Sequence, residues 1–525
     1  MIRRTTRHFS GPFAALLLLL WGLTFSGCPS CQNLPTDDRQ AFVVLMDASP
    51  AGLDPRFATT DASAKLVGLL HAGLITMDTA DGTMEYRLAR SIEQTGPLRY
   101  EVALREDALF HDGTPVTAAD VEYTFMNLDE VGSPFVGTER RIESFEIIDD
   151  HHLVITLDEP HAPFLTDLSL GILPRHICEG HTSCPGDPVG AGPFKFLKRD
   201  GELHVEFERF DDYFEGAPAI ERLVFRVIRD DNARMLALLG NTADLAQNTV
   251  SPLMMPVVER TAGLEIQRSP SFGYSYLGIN LEHPILSDVR VRQALAHAID
   301  REQIIEYKFR GLARPSTGIL VPQHWAYEGD VEHFAYDPER ARELLDEAGY
   351  TADEGDYRFH LEFKVSANNF RRSLAQLIGQ QLGEVGIYVR VRAYEWGTFF
   401  DDIRSRNFEL TTLTWPSVSE PNIMHWIFHS ENIPTPEARA AGANRGAYQN
   451  DRVDELLEMG QRETDLEKRA AIYGEVQQIL ARELPYISLW HQDNVAVLRE
   501  GTKGYYTTPN ARYDALRTVI PAPRD

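Results

Sequence analysis

Two hydrophobic periods alternate along most of the chain, and that alternation limits the possible folds more than any other feature. Runs with every second residue apolar read as strands: Tyr100, Val102 and Leu104; Leu153, Ile155 and Leu157; Leu223, Phe225 and Val227; Phe359, Leu361, Phe363 and Val365; Ile387, Val389 and Val391. Helical patterns lie between them. Asp337-Pro338-Glu339 offers an N-cap followed by proline at the first helical position. Ala341, Leu344, Leu345 and Ala348 then share a face, and Gly349 supplies the stop. Val291, Ala294, Leu295 and Ala298 form a second apolar face, after which Asp300 and Gln303 suit a capping-box restart. Nearer the C-terminus Val453, Leu456 and Leu457, then Ile472, Val476 and Ile479, keep the helical period. Strands and helices interleaved over 525 residues predict an α/β class with more than one lobe.

The first thirty residues follow a different rule. Arg3, Arg4 and Arg7 precede the apolar run Phe13-Ala-Ala-Leu-Leu-Leu-Leu-Leu, and no acidic residue occurs before Asp37. The run is short for a span needing about 20 residues, and it suits the core of an export signal over residues 1–27. Ser26-Gly27-Cys28 resembles the bacterial lipobox, in which the cysteine is acylated and becomes the new N-terminus; a plain signal peptide or an uncleaved anchor is the alternative. Residues 28–40 then read as a polar tether. On this reading the body is exported to the cell envelope and held on the periplasmic or extracytoplasmic face of a membrane by lipid at Cys28. Charge excludes another class. With 51 Lys+Arg against 78 Asp+Glu the net charge is −27, which repels phosphate backbones, so nucleic acid is not an expected partner.

Cys31 falls in the tether, while Cys178 and Cys184 stand together in His176-Ile-Cys-Glu-Gly-His-Thr-Ser-Cys184. In an oxidising compartment this spacing most simply closes a disulfide loop. The other reading is a zinc site from His176, Cys178, His181 and Cys184. Catalytic signatures fail: no P-loop, His-Glu-x-x-His or Gly-x-Ser-x-Gly elbow occurs. Gly190-Ala-Gly192 runs into Pro193, which lacks the N–H a phosphate-cradling turn needs. His151, His152, His425, His429 and His491 show no spacing that joins them into one centre. No enzyme activity and no cofactor are expected. Aromatic residues are more suggestive of binding: Phe272, Tyr274 and Tyr276 alternate, and Trp396 and Trp415 flank a helix-like and a strand-like stretch.

These features occur within a longer set of matching segments. They include Leu53-Asp-Pro55, Leu104-Arg-Glu-Asp-Ala-Leu-Phe-His-Asp-Gly-Thr-Pro-Val-Thr-Ala-Ala-Asp-Val121, Pro188-Val-Gly-Ala-Gly-Pro-Phe194 and Asp288-Val-Arg-Val-Arg-Gln-Ala-Leu295. Ala298-Ile-Asp-Arg301, Tyr336 to Gly349 and Tyr448-Gln-Asn-Asp-Arg-Val-Asp454 complete it. In this order and spacing the chain resembles the family 5 extracellular solute-binding proteins, the oligopeptide-, dipeptide- and nickel-binding components of ABC importers. The resemblance implies a two-lobed periplasmic-binding-protein-like fold (type II, cluster C). Lobe I would cover 41–270 with an inserted subdomain at about 75–187, lobe II 271–490, and residues 491–525 would return to lobe I. It also implies a monomer that closes over a peptide or another small polar solute and delivers it to an ABC permease.

In peptide-binding members an Asp after a Trp-x-x pattern captures the α-amine. Here Trp415-Pro-Ser-Val-Ser-Glu-Pro421 has Val418 at that position, leaving Glu420 or Asp61 as substitutes. Thr412 stands where an oligopeptide-binding member carries a carboxylate-binding Arg, and Arg445 is the candidate replacement. The ligand-binding residues implied are therefore Thr60, Asp61, Phe135, Tyr274, Tyr276, Trp396, Trp415, Ser417 and Arg445. The missing Asp leaves a nickel-chelate or glycan receptor open within the family. An envelope metal-binding protein or enzyme is the alternative outside it.

Overall fold

The computed structural model describes residues 41–77, 83–352, 356–436 and 442–523; the export segment, Cys28, Cys31 and the tether lie outside the described residues. Among the described residues a seven-stranded sheet runs in the order Leu264–Ser269, Asn494–Arg499, Leu245–Gln247, Phe42–Met46, Arg222–Val227, His204–Arg209, Phe194–Asp200. Its central strand, Phe42-Val-Val-Leu-Met46, is buried at every position and pairs in parallel with both neighbours. An unbroken apolar run is what a strand covered on both faces requires. This sheet is the frame of lobe I.

Lobe II is built on a six-stranded sheet in the order Ala313–Pro315, Tyr486–Gln492, Tyr274–Ile279, Leu410–Trp415, Phe359–Ser366, Ile387–Tyr394. The parallel pair Phe359–Ser366 and Ile387–Tyr394 is joined through helix Asn369–Glu384, whose Leu374, Ala375, Ile378 and Leu382 are buried in the lobe II core. Helix Pro338–Glu347 begins where Asp337 accepts the Arg340 N–H at 2.9 Å and is followed by Gly349 at φ +89°, a conformation that favours glycine. A four-stranded antiparallel sheet, Ala89–Gln94, Arg99–Leu104, His152–Leu157, Ile142–Asp149, carries the inserted subdomain on its own core of Val102, Phe110, Phe125 and Phe164.

The chain crosses between the two large sheets twice. It leaves lobe I after Ser269 and joins the lobe II sheet at Tyr274; it leaves that sheet after Gln492 and resumes in lobe I at Asn494. The return thus falls at Asp493, a little past the 490 limit given above for lobe II. The reason is pairing: Trp490 still faces Ser275, and His491 and Gln492 face Arg314 and Ala313.

Cys178 and Cys184 are joined as a disulfide behind the short helix Arg175–Cys178. With both sulfurs committed to that bond, the zinc reading loses its thiolates, and His176 Nε2 instead lies 2.7 Å from Asp112 Oδ2. The Gly190-Ala-Gly192 turn has a packing role. A Cβ on Gly190 would stand 2.1 Å from the Leu70 carbonyl oxygen, and one on Gly192 2.4 Å from that of Leu69, so only glycine lets this backbone pass the helix end.

Candidate functional site

Two cavities lie between the lobes. The first, about 360 Å³, is lined from the lobe I side by Val67, Phe135, Thr138 and Asp167. Ser417, Ser419 and Glu420 line it from lobe II, and Asn510 and Arg512 from the C-terminal return. The second, about 290 Å³, has Asp47, Arg234 and Asn248 on one side and Ser275, Arg371 and Thr414 on the other. Both are polar-rimmed, interlobe and of a size suited to a small solute.

Charge is distributed unequally between them. Asp167 closes the short helix Phe164–Asp167 and accepts a hydrogen bond from Thr138 Oγ1 at 3.1 Å. Among the described residues no basic nitrogen lies within 4.0 Å of its carboxylate. Burial pushes its pKa up to about 6; the Thr138 hydroxyl and Arg141 oppose the shift and Glu420 adds to it. Glu420, by contrast, is paired with Arg469. In the second cavity Arg371 stands in the first turn of helix Asn369–Glu384, capped by Asn368. Its Nη2 is 3.4 Å from Thr414 Oγ1, and no described carboxylate approaches within 4.0 Å. Burial lowers its pKa, with the nearby Tyr276 phenol opposing the shift. Asp167 and Arg371 thus offer a carboxyl and a guanidinium from opposite lobes, neither in an ion pair among the described residues; Arg512 on the first cavity and Asp47 on the second form no ion pair there either.

The residues singled out in the sequence scatter around this arrangement. Phe135 and Ser417 line the first cavity. Thr60 and Asp61 cap the helix Asp61–Leu70: Thr60 Oγ1 accepts the Ser63 N–H at 3.2 Å, and Asp61 pairs with Lys65 at 2.7 Å. Its helix faces the cavity through Ala64, Val67 and Gly68, but the two cap side chains are not among the lining residues. Tyr274 and Tyr276 are interior residues of lobe II. Their rings stack with centroids 5.7 Å apart, Tyr276 stacks on Tyr486 at 3.9 Å, and the Tyr274 hydroxyl is 2.8 Å from Ser488 Oγ. Trp396 is 53% exposed and stacks on Phe400.

Trp415 and Arg445 pack together in an aromatic cluster. The Arg445 guanidinium sits 5.6 Å from the Trp415 ring centroid and 5.0 Å from that of Phe400, and Trp426 packs edge-on to Trp415 at 5.5 Å. Trp415 leads within two residues to Ser417 on the cavity rim. Val418, at the position of the amine-binding Asp of peptide-binding members, is 1% exposed in the lobe II core and donates its N–H to Phe272 O at 3.1 Å. Asp167 and Arg371 were missed in the sequence. Arg371 had a weak local signal, a basic residue just inside a capped helix start at Asn368; Asp167 had none.

A deep polar cleft between two α/β lobes, spanned by two short chain crossings, defines a solute receptor of the two-lobed kind. The chain belongs to the bacterial extracellular solute-binding proteins, family 5: residues 83–435 match the model described as "Bacterial extracellular solute-binding proteins, family 5 Middle". Proteins of this family serve ABC-type import by binding solutes and are not enzymes. A "Probable di/tripeptide-binding protein 5" from Pseudomonas aeruginosa is 28% identical over 517 residues, covering 91% of this chain and 95% of the relative. The structure of the Bacillus subtilis oligopeptide-binding protein AppA in complex with a nonapeptide superposes with a TM-score of 0.79 at 26% identity, over 92% of this chain and 99% of that one. Campylobacter jejuni NikZ in complex with Ni(L-His) shares the fold, with a TM-score of 0.82 at 24% identity over 91% and 99% of the two chains. No helix among the described residues is long and apolar enough to cross a membrane.

Proposed function

We propose that this protein is a receptor for short peptides, presented to an ABC permease by an exported protein tethered through lipid at Cys28. The observation that carries the peptide reading is the pair of uncompensated groups in the cleft. Asp167 has no basic partner and Arg371 no acidic one among the described residues, and each is costly to bury alone. A ligand with an ammonium at one end and a carboxylate at the other relieves both costs at once. A free peptide is the common solute with that charge pattern. The similarity to a di/tripeptide-binding protein and to a nonapeptide complex supports the same class.

Ligand contacts made only when the lobes are together favour the closed form, because a ligand shifts a conformational equilibrium only by its differential affinity for the two states. Asp167 and Arg371 sit on opposite lobes, so a single zwitterion touching both links them. The closed surface would then be what the permease reads, and the monomer suffices for this cycle. A nickel chelate is the second reading. It is kept by Val418, which removes the usual amine-binding carboxylate. A chelate bearing free carboxylates would engage Arg371 and leave Asp167 unused.

Calorimetric titration with a dipeptide and a tripeptide, each also in N-acetylated and C-amidated form, separates the readings. The free peptides should bind, with acetylation and amidation each weakening binding by at least tenfold. Binding of nickel–histidine with no response to any peptide would refute the proposal.

A further inference from the structure

We infer that lobe II carries a divalent transition-metal site, of the zinc or nickel class, formed by His425, His429 and Glu431 with Glu458 beside them. None of the four lines either interlobe cavity, although His425 stands near enough to Arg141 and His161 of the inserted subdomain to feel their charge.

His425 lies on the short helix Ile423–Phe428 and His429 caps its C-terminus, so the two are four residues apart and project from one side. Their rings stack with centroids 4.4 Å apart. One donor atom from each of His425, His429 and Glu431 lies within 4.8 Å of the other two. For three atoms so placed there is always a point within about 2.8 Å of all of them, roughly 0.7 Å beyond a zinc–nitrogen bond, a gap that small side-chain rotations close. Glu458, on helix Asp451–Arg462, brings Oε1 to 3.6 Å from His429 Nε2, and Glu431 Oε1 is 3.5 Å from His425 Nε2. Both separations are too long for good hydrogen bonds. His429 is 6% exposed, and its Nε2 is buried without a hydrogen-bond partner. A buried polar atom left this way calls for a ligand.

The donor chemistry selects the cation. Two imidazoles with carboxylates suit zinc, nickel or copper and not calcium or magnesium, which take oxygen ligands. Two carboxylates would neutralise the ion's charge, and a chain of net charge −27 attracts cations in general. The second nitrogen of each ring faces an N–H group, a contact that metal binding through Nε2 has to give up. His429 Nδ1 faces the Glu431 N–H at 3.2 Å and His425 Nδ1 faces Asn432 Nδ2 at 3.3 Å. Coordination through Nε2 moves each ring proton to Nδ1, exchanging those two long contacts for two coordination bonds. Binding would fix the segment that carries Trp426 against Trp415.

The test is titration of the full-length protein, stripped of metal by chelator, with Co²⁺ followed by its visible absorption, and then competition with Zn²⁺. One saturable equivalent with tetrahedral-type absorption is expected, displaced by Zn²⁺, together with a rise in melting temperature on adding Zn²⁺. His425→Asn and Glu431→Gln should each weaken Co²⁺ affinity by at least tenfold and abolish the melting shift. Glu431 is exposed, so its variant keeps the test clear of folding defects. His176→Asn should change nothing. Absence of saturable binding, or full affinity in Glu431→Gln and His425→Asn together, would overturn the assignment.

Discussion

Replacing Asp167 by asparagine tests the cleft chemistry most directly. In the empty protein burial holds this carboxyl near pKa 6. An ammonium ligand needs the ionised form, so apparent affinity scales with the ionised fraction. That fraction is about 0.9 at pH 7 and about 0.1 at pH 5, so the dissociation constant should rise about tenfold over this interval, or about 1.4 kcal/mol. Asp167→Asn keeps the shape and the approach of Thr138 but removes the charge. Loss of one charge-assisted contact of about 2–3 kcal/mol predicts a 30- to 150-fold weaker dipeptide, with the slope between pH 5 and 7 gone. Stability should move in the other direction. A folded pKa raised above the ordinary value means that ionisation opposes folding, a penalty that develops as pH rises from about 4 through 6. Above pH 6 the empty variant should therefore melt at the same or a higher temperature than the parent, and below pH 4 the two should coincide. Calorimetry at pH 5, 6 and 7, paired with thermal melts, reads every term. A variant that binds dipeptide with parental affinity and parental pH slope would refute the role given to Asp167.

Arg371→Ala should weaken free peptides by about 1.5–3 kcal/mol while leaving C-amidated peptides unchanged relative to the parent, measured by the same titration. Val418→Asp restores the Trp-x-x-Asp pattern but places a charge at a 1% exposed core position, so it should lower the melting temperature sharply and yield no gain in peptide affinity. Replacing Cys178 and Cys184 together by serine should cost about 2 kcal/mol in denaturant unfolding, the chain-entropy value for so short a loop, with solute affinity unchanged.

Much of the architecture could be read locally. Alternation in Phe359–Val365 and Ile387–Val391 foretold two strands that pair in parallel, and the Asp337-Pro338 start with Gly349 bounded a real helix. These signals survive because each lies within one element. The site residues do not share that property. Alternation put Tyr274 and Tyr276 on a common face, but what covers that face is Tyr486, about two hundred residues away, and so they became interior. Thr60 and Asp61 were expected to bind ligand; they stand at the start of helix Asp61–Leu70, where the Thr60 side chain turns back on the helix backbone. Asp167 sits in Phe164-Leu-Thr-Asp167, with nothing around it to mark it. Its significance comes from lining one cavity with Ser417 and Ser419 of the other lobe and from having no basic nitrogen within 4.0 Å among the described residues. His425 and His429 were not joined from the sequence, although they stand four residues apart, and Glu458 reaches them only through the packing of a later helix.

The way the chain passes between its sheets also bears on how the protein can be taken apart. Ser269 and Asn494 face each other as register partners in adjacent antiparallel strands, and everything from Tyr274 to Gln492 is one uninterrupted stretch. A two-residue Asn-Gly turn joining Ser269 to Asn494 would seal the first half as an ordinary hairpin, while the excised stretch retains all six strands of its own sheet. The receptor is thus built like a host with a cassette spliced into a hairpin tip, and each piece is a candidate for separate expression and recombination with halves from related receptors.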